Sequence, residues 1–205
     1  MEVFINGRVA TIELAHYPSE EDFMWVKECA IGTMLDKEAK TKPDSAWTHR
    51  ILEARHSPIR ELWYKFVLRD IPYWLSVHLV RHHVGVNCYV QSQRNDRQSK
   101  YDRNSARQDA PVTMRMSLNA EALMTLANKR LCYQASSETR IVVEEMCRLA
   151  IEATPELEGL LVPMCEYHGN TCHEMKPCGR FEPKELNSSE NINERIEQKT
   201  DNHAT

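Results

Sequence analysis

The clearest strand in this chain is Leu62-Trp63-Tyr64-Lys65-Phe66-Val67-Leu68-Arg69. Successive side chains of a strand point to opposite faces, so one face of this segment carries four apolar residues: Leu62, Tyr64, Phe66 and Leu68. The other face mixes apolar side chains with Lys65 and Arg69. This alternation predicts a strand with one buried face. After it, Asp70 is a candidate N-cap for a helix that runs to about Val80.

Further strands and helices are predicted on both sides of this strand. Periodicity and turn signals predict one or two strands over Met1 to Leu14 with a turn at Gly7, and a short extended segment over Gly85 to Val90. They also predict helices over Ser19 to Gly32, Asn119 to Leu131 and Ser137 to Ala153, with Ser19 and Asn119 as N-cap candidates. Between them, Gln91 to Asp109 is polar and should be a long loop. The chain therefore combines strands and helices.

Length and composition predict an ordinary globular protein. The 205 residues suit one domain, which we place at residues 1–181, and residues 182–205 have almost no apolar side chains and should form a disordered tail. The net charge of -4 does not favour nucleic-acid wrapping or attraction to a membrane. No apolar run is long enough to span a bilayer, and Met1 to Ala10 lacks a signal-peptide core. We therefore expect a cytoplasmic protein.

Positive charge is concentrated between Arg81 and Arg107, which include five arginines, one lysine and two histidines against two aspartates. The main groups are Arg81-His82-His83, then Ser92-Gln93-Arg94, then Arg97, Lys100, Arg103 and Arg107. Arginine presents a fork of donors that matches phosphate, and a serine hydroxyl can complete the cradle. A solvated basic loop, or one docked on another subunit, explains the composition equally well. No glycine-rich phosphate loop is present, so side chains would hold any nucleotide.

Two blocks of sequence give a resemblance to a known family. The first runs from His56-Ser57-Pro58 through Leu79-Val80-Arg81-His82-His83 to Ser92-Gln93-Arg94, and the second from Asn119-Ala120 through Arg130-Leu131-Cys132 to Glu138. In this order they resemble the flavin-dependent thymidylate synthases, whose hallmark is Arg-His-Arg, a short spacer, then Ser-x-Arg. The resemblance covers roughly residues 56–155.

The resemblance implies a fold, an assembly and a reaction. It implies an α+β fold with an antiparallel or mixed sheet and surrounding helices, assembled as a homotetramer that binds FAD where subunits meet. The implied reaction moves a one-carbon unit from methylenetetrahydrofolate to C5 of dUMP, giving dTMP, with NADPH as the reductant. The methyltransferases of this family use no cysteine nucleophile, so Cys88 is expected to be a small core residue.

The resemblance also assigns roles to residues that match the motifs. Arg81 and His82 would approach flavin and nucleotide, and Arg130 would meet the pyrimidine, where its donors polarise a uracil carbonyl. The remaining positions are Ser92, Gln93, Arg94, His78 and Arg107 for the nucleotide, and Ser57, Glu61, His83 and Asn119 for the flavin. For three of them a purely structural role is as good an explanation: a packed His78, a strand-end Glu61 and a helix-capping Asn119.

Several positions depart from the family pattern. His83 stands where the family has arginine, Glu121 reverses a charge on the helix, and His78 replaces a glutamine. The spacer from Arg81 to Arg94 is one residue longer, and the following excursion is short, so Arg103 or Arg107 is the candidate replacement for one phosphate-binding arginine. These changes suggest a divergent branch, with another pyrimidine nucleotide as an alternative substrate.

A cysteine-rich segment, residues 163–180, predicts a turn-rich knuckle. Cys165, Cys172 and Cys178 lie within fourteen residues, and Cys132 or a local histidine could complete a structural zinc site. The spacing lacks the paired CxxC of strong zinc motifs, so reduced thiols are the alternative. A non-catalytic module that binds nucleic acid and zinc is a further alternative, but it has only Tyr89 and Tyr101 as stacking residues near the basic loop.

Overall fold

The computed structural model describes residues 1–34, 39–97 and 102–184. Its centre is a five-stranded antiparallel sheet with the order β1-β2-β3-β5-β4. The strands are β1 (Glu2–Ile5), β2 (Arg8–His16), β3 (Trp63–Pro72), β4 (Val86–Val90) and β5 (Pro111–Asn119). The α+β class is confirmed, and the sheet is antiparallel, one of the two forms that the family resemblance implied. Most of the predicted tail, residues 185–205, lies outside the described residues, as do Lys100 and Tyr101.

The alternation that predicted β3 is confirmed, but the boundary after it is not. Tyr64, Phe66 and Leu68 are fully buried, whereas Lys65 and Arg69 are exposed. The prediction of Asp70 as a helix N-cap is wrong. Its backbone takes a left-handed φ of 58°, within a register shift between Leu68 and Ile71 in the pairing of β3 with β5. Because this bulge lets the strand resume, β3 continues to Pro72 before the next helix begins.

The strand β5 lies between β3 and β4 in the sheet and was not predicted from the sequence. Val112, Met114, Met116 and Leu118 are buried at alternate positions, while Arg115 is exposed. This is the same two-residue period that identified β3. Methionine is less typical of strands than β-branched or aromatic residues, so the pattern is easy to overlook. The strand matters for function because it carries Asn119 to the start of the following helix.

Six helices complete the described fold: α1 (Glu20–Gly32), α2 (Ser45–Glu53), α3 (Tyr73–Val80), α4 (Ala120–Arg130), α5 (Ser137–Ala153) and α6 (Met164–Tyr167). A 3₁₀ helix, Ser57–Glu61, lies between α2 and β3. The predicted caps at Ser19 and Asn119 are confirmed, since each accepts a hydrogen bond from the backbone of the first turn. Within the described residues, no helix is long and apolar enough to span a bilayer.

The position of α3 and β4 decides where candidate site residues lie. The helices α3, α4 and α5 pack on the buried face of the sheet. The helix α3 ends at Val80, and the turn that follows leads through Gly85 into β4, which runs back along β5. Arg81, His82 and His83 therefore lie at one end of β4, and Gln91 begins the loop at its other end.

Candidate functional site

The turn after α3 borders an open cavity of about 510 Å³. Three groups of residues line it: the turn residues Arg81, His82, His83, Val84 and Gly85 with Val86, the α4 side residues Asn119, Glu121, Ala122 and Thr125, and Arg60 from the 3₁₀ helix. All three positions that match the hallmark, Arg81, His82 and His83, thus line one cavity. Its lining includes two guanidinium groups and two imidazoles against one carboxylate. Such a surface suits an anionic or carbonyl-rich ligand.

Arg130, from the end of α4, does not itself line this cavity but is held by His82, which does. Its Nε donates to Nε2 of His82 at 2.9 Å. A guanidinium can only donate, so His82 must accept at Nε2 and carry its own proton on Nδ1. Burial, followed by the charges of Arg130 and His83, lowers the pKa of His82 to about 4. His82 is therefore neutral at pH 7, and the neutral ring is the form that can hold Arg130.

His78 holds the same arginine through its backbone. The carbonyl oxygen of His78 accepts from Nη2 of Arg130 at 2.8 Å. The imidazole points elsewhere: Nδ1 lies 3.0 Å from Oγ1 of the buried Thr139, and the ring meets Trp74 edge-on at 5.3 Å. Burial lowers the pKa of His78 as well, with Arg130 and Arg81 acting in the same direction. In the described structure His78 thus positions Arg130 and packs α3 on α5.

Gly85 and Asn119, which both line the cavity, pack the start of β4 against the start of α4. Gly85 has a left-handed φ of +69°, and a Cβ built on it would lie 2.6 Å from Nδ2 of Asn119. Asn119 is buried, and its Oδ1 accepts from the backbone N–H of Ala122 at 2.9 Å. Asn119 therefore caps α4, the structural role weighed for it from the sequence. A side chain at position 85 would displace that cap.

The charge reversal at Glu121 is balanced within the cavity by Arg60. Nε of Arg60 donates to Oε2 of Glu121 at 2.5 Å. The Glu121 side chain is 31% exposed and the Arg60 side chain 57% exposed, so solvent reaches the pair. Neither Arg60 nor Gly85 was predicted from the sequence as a site residue. Arg60 could have been found, since it lies between Ser57 and Glu61, whereas its pairing with Glu121 depends on the tertiary fold.

The other two flavin candidates, Ser57 and Glu61, face different cavities. Ser57 lines one of about 440 Å³ together with Trp47 and Ile51. Glu61 lines another of about 400 Å³ together with His16 and Lys65, among others. All three cavities border the 3₁₀ helix Ser57–Glu61, which separates them. The described structure thus places these candidates around one short helix without bringing them into one cavity.

The phosphate candidates lie at the far end of β4. Gly85 pairs with Asn119 and Gln91 with Thr113, so the extended backbone separates the two ends by roughly 20 Å. Arg94 is held by Asp96, with Nε donating to Oδ1 at 2.9 Å, and Ser92 Oγ accepts from the backbone of Arg94 at 3.3 Å. Gln93 Nε2 is buried without a hydrogen-bond partner.

Arg107 lies at this same far end, since the backbone of Gln108 and Ala110 accepts from the start of α3. Its Nε donates to Oδ1 of Asp109 at 2.9 Å. Arg94 and Arg107 are both exposed, and each is paired with an aspartate two residues further on. Neighbouring carboxylates therefore balance two of the arginines that made this stretch appear strongly basic in the sequence.

The four cysteines of the predicted zinc site come together. Cys132, Cys165, Cys172 and Cys178 all line one small cavity of about 10 Å³, with His173 and Glu174 beside them. All seven cysteines of the chain are free thiols. As the side chains are placed, the described residues contain no group of three or more His, Cys, Asp or Glu side chains ready to hold a metal ion.

Comparison with known proteins identifies a structural neighbour. No protein-family model and no curated protein matches this sequence. Among solved structures, the fold is similar to that of a UMP/dUMP methylase, PolB from Streptomyces cacaoi, bound with 5-Br dUMP. The TM-score is 0.58, and the likeness covers 74% of this chain and 94% of that chain at 15% sequence identity. At this identity, the likeness shows a related fold.

Proposed function

We propose that this protein is a flavin-dependent enzyme that transfers a one-carbon unit from methylenetetrahydrofolate to C5 of dUMP, with NADPH as the reductant. The observation that carries the proposal is the pairing of Arg130 with neutral His82 on the wall of a cationic cavity. This pairing fixes a guanidinium whose remaining N–H groups can meet a uracil carbonyl. The motif order and the fold of the UMP/dUMP methylase PolB support the same chemistry.

The chemical role of Arg130 follows from its hydrogen bonds. Nε and one N–H of Nη2 are engaged by His82 and His78, which sets the plane of the guanidinium. A donor held in place before reaction stabilises negative charge on a carbonyl oxygen better than a mobile one does. When a pyrimidine is attacked, charge spreads onto its carbonyl oxygens. Arg130 would stabilise that charge, while His82 and His78 keep it oriented.

The charges of the cavity fit a flavin. Arg81, His82 and His83 offer donors to an anionic or carbonyl-bearing ligand, and the carboxylate of Glu121 is already paired with Arg60. These three residues with Asn119 would hold FAD, and Ser57 and Glu61 would contact parts of it that extend around the 3₁₀ helix. Bound FAD would supply the redox step that reduces the transferred carbon. The protein's own residues bind, orient and exclude water.

The separation of the phosphate candidates supports a site shared between copies of the chain. Ser92 and Arg94 lie roughly 20 Å along β4 from the Arg81 turn, too far for one nucleotide to reach both in the same chain. We therefore expect Ser92, Gln93 and Arg94 of one copy to hold the phosphate of dUMP whose base meets Arg130 of another. The homotetramer implied by the family resemblance would bring them together. Arg107 would join the phosphate group when Asp109 releases it.

A second candidate is a related flavin enzyme that modifies another pyrimidine nucleotide. Two cavity residues favour it, since His83 and Glu121 replace arginines of the family pattern and reduce the positive charge beside the ligand. PolB, a UMP/dUMP methylase with a related fold, also supports a substrate other than dUMP. The nucleic-acid module is less favoured, because Arg94 and Arg107 are paired with aspartates.

Absorbance spectroscopy and product analysis test the proposal together. Protein reconstituted with FAD should retain flavin absorbance after gel filtration, and its oxidation of NADPH should accelerate when dUMP is added. Mass spectrometry of products from dUMP, UMP, dCMP and CMP separates the two candidates. A protein that takes up no FAD and methylates none of these nucleotides would refute both.

A further inference from the structure

Four cysteines from separate parts of the sequence converge at the C-terminal end of α4. Cys132 follows α4, Cys165 lies in α6, and Cys172 and Cys178 lie in the turns beyond it. All four line one enclosed space of about 10 Å³. A space of roughly 10–15 Å³ holds one water-sized occupant. The cavity that the four cysteines help to line therefore has room for a single water-sized occupant.

The segment from residue 164 to residue 184 buries few side chains that could stabilise its conformation. Cys172 is its only buried residue, and Met175 is fully exposed. A short parallel bridge between Cys172 and Pro183 closes the segment on itself. Contacts with the rest of the chain include a hydrogen bond from Gln134 Nε2 to the backbone of Lys176 at 2.6 Å. Segments that cannot bury an apolar core are usually held by cross-links, either disulfides or metal ions.

We propose that Cys132, Cys165, Cys172 and Cys178 bind one structural zinc ion that fastens this segment to the end of α4. Zinc in structural sites takes four sulfur or nitrogen ligands in a tetrahedron, with sulfur at about 2.3 Å. Three ligands come from the segment itself and the fourth, Cys132, from the body of the protein. The ion thus cross-links this segment internally and also anchors it to the end of α4.

Forming this site requires the four cysteine side chains to turn towards one another. The described side chains do not yet form a ready metal group. Rotation of a cysteine between staggered χ1 rotamers moves its sulfur by roughly 3 Å. The four cysteines already line one shared cavity. With the four thiols turned into the cavity, the zinc ion would occupy the space that now has room for one water-sized molecule.

The charge and proton balance of the site follows from its four thiols. Each thiol loses its proton as its sulfur bonds to Zn²⁺, so four protons are released and the complex carries two negative charges. Arg180 lines the cavity and pairs with Glu166, and Lys129 lies 3.4 Å from Glu174 at the rim. Each of these cations is already paired with a carboxylate, so the two negative charges of the complex stay on the thiolates. His173 and His168 stack on each other at 4.3 Å, which makes them weaker candidates than the thiols.

Metal content tests the proposal without any assay of activity. Full-length protein purified without chelator should contain one zinc ion per chain by elemental analysis, and Co²⁺ should replace it with the sulfur-to-metal charge-transfer band of tetrahedral thiolate coordination. Cys178→Ser, at an exposed position, should abolish retention of the metal, and Cys172→Ser should do the same. Cys29→Ser, in α1, is the matched control and should retain a full equivalent.

Two results would overturn the proposal. One is protein that retains no zinc and gives no thiolate band with Co²⁺. The other is protein whose alkylated mass, taken without reductant, shows Cys132, Cys165, Cys172 or Cys178 joined in disulfides. A variant that fails to fold is recognised by circular dichroism, and the remaining cysteine variant then decides. None of these outcomes depends on whether the protein binds flavin or nucleotide.

Discussion

The Nε–H of Arg130 meets Nε2 of His82 at 2.9 Å, which joins the last turn of α4 to the turn that follows α3. The two residues lie 48 positions apart in the sequence. A protonated imidazole cannot accept this hydrogen bond, and its charge would repel the guanidinium. The orientation of Arg130 therefore depends on the neutral state of His82.

Arg130→Lys should reduce kcat/KM by roughly 100-fold or more, since a fixed donor to a developing negative charge is lost. Lysine keeps the charge but cannot make the two hydrogen bonds that set the plane. The measurement is steady-state kinetics with dUMP. Arg148→Lys is the control, because Arg148 pairs with Glu145 and Glu152 on the outer face of α5. Equal activity of the two variants would remove Arg130 from the chemistry.

Acid should destabilise the protein through His82. Its pKa falls from 6.5 in the unfolded chain to about 4 in the folded protein, so the unfolded state binds the extra proton first. Stability is therefore complete above pH 6.5 and is lost progressively as pH falls towards 4. Allowing for partial contact with solvent, the loss should be roughly 2 kcal/mol.

The variant His82→Gln isolates this effect. Glutamine offers a carbonyl oxygen to Arg130 and does not titrate, so the variant should lose less stability than the wild type between pH 7 and pH 4. Urea unfolding at several pH values measures the difference. Identical pH profiles for the two proteins would show that His82 is not held neutral by the fold.

Gly85→Ala should destabilise the protein by about 2–4 kcal/mol, because strain from the left-handed backbone adds to a clash with Asn119. The added Cβ would lie 2.6 Å from Nδ2 of Asn119. Gly159→Ala is a matched control, since Gly159 has a φ of +76° and no neighbouring atom within 4 Å. It should cost only about 1 kcal/mol. Chemical denaturation that finds equal losses would exclude the packing of Gly85 on Asn119.

Glu121→Gln should strengthen binding of an anionic ligand by several-fold. The change releases Arg60 from its ion pair and removes the carboxylate of the cavity. Isothermal titration with FAD, and separately with dUMP, measures the effect. The comparison variant is Glu145→Gln, which breaks the pair with Arg148 on α5. Tighter binding in both variants would indicate a general effect of charge, and unchanged affinity in Glu121→Gln would place the ligand elsewhere.

Local sequence patterns predicted most elements of the fold. The alternation from Leu62 to Leu68 and the cap at Ser19 depend on neighbouring residues, and both are confirmed. The Asp70 prediction failed because aspartate is favoured both at helix N-caps and in the left-handed conformation that the bulge in β3 requires. The strand β5 was missed because its buried side chains include two methionines, which fit helices as well as strands.

The candidate site was only partly predictable, for a different reason. The motif order singled out Arg81, His82 and Arg130, which the fold brings to one end of α3. The partnership of Arg60 with Glu121 joins residues 61 positions apart, so no local pattern reveals it. Nor does the sequence show that β4 runs away from Arg81 and carries Ser92 and Arg94 to its far end.

Product analysis tests the proposed reaction most directly. The protein is incubated with FAD, NADPH, methylenetetrahydrofolate and dUMP or UMP, and the nucleotides are analysed by mass spectrometry against the Arg130→Lys variant. We predict a product in which a methyl group replaces one hydrogen of the substrate, and this product should disappear in the variant and without NADPH. Unchanged nucleotides from protein that has bound FAD would contradict the proposed one-carbon transfer to a pyrimidine.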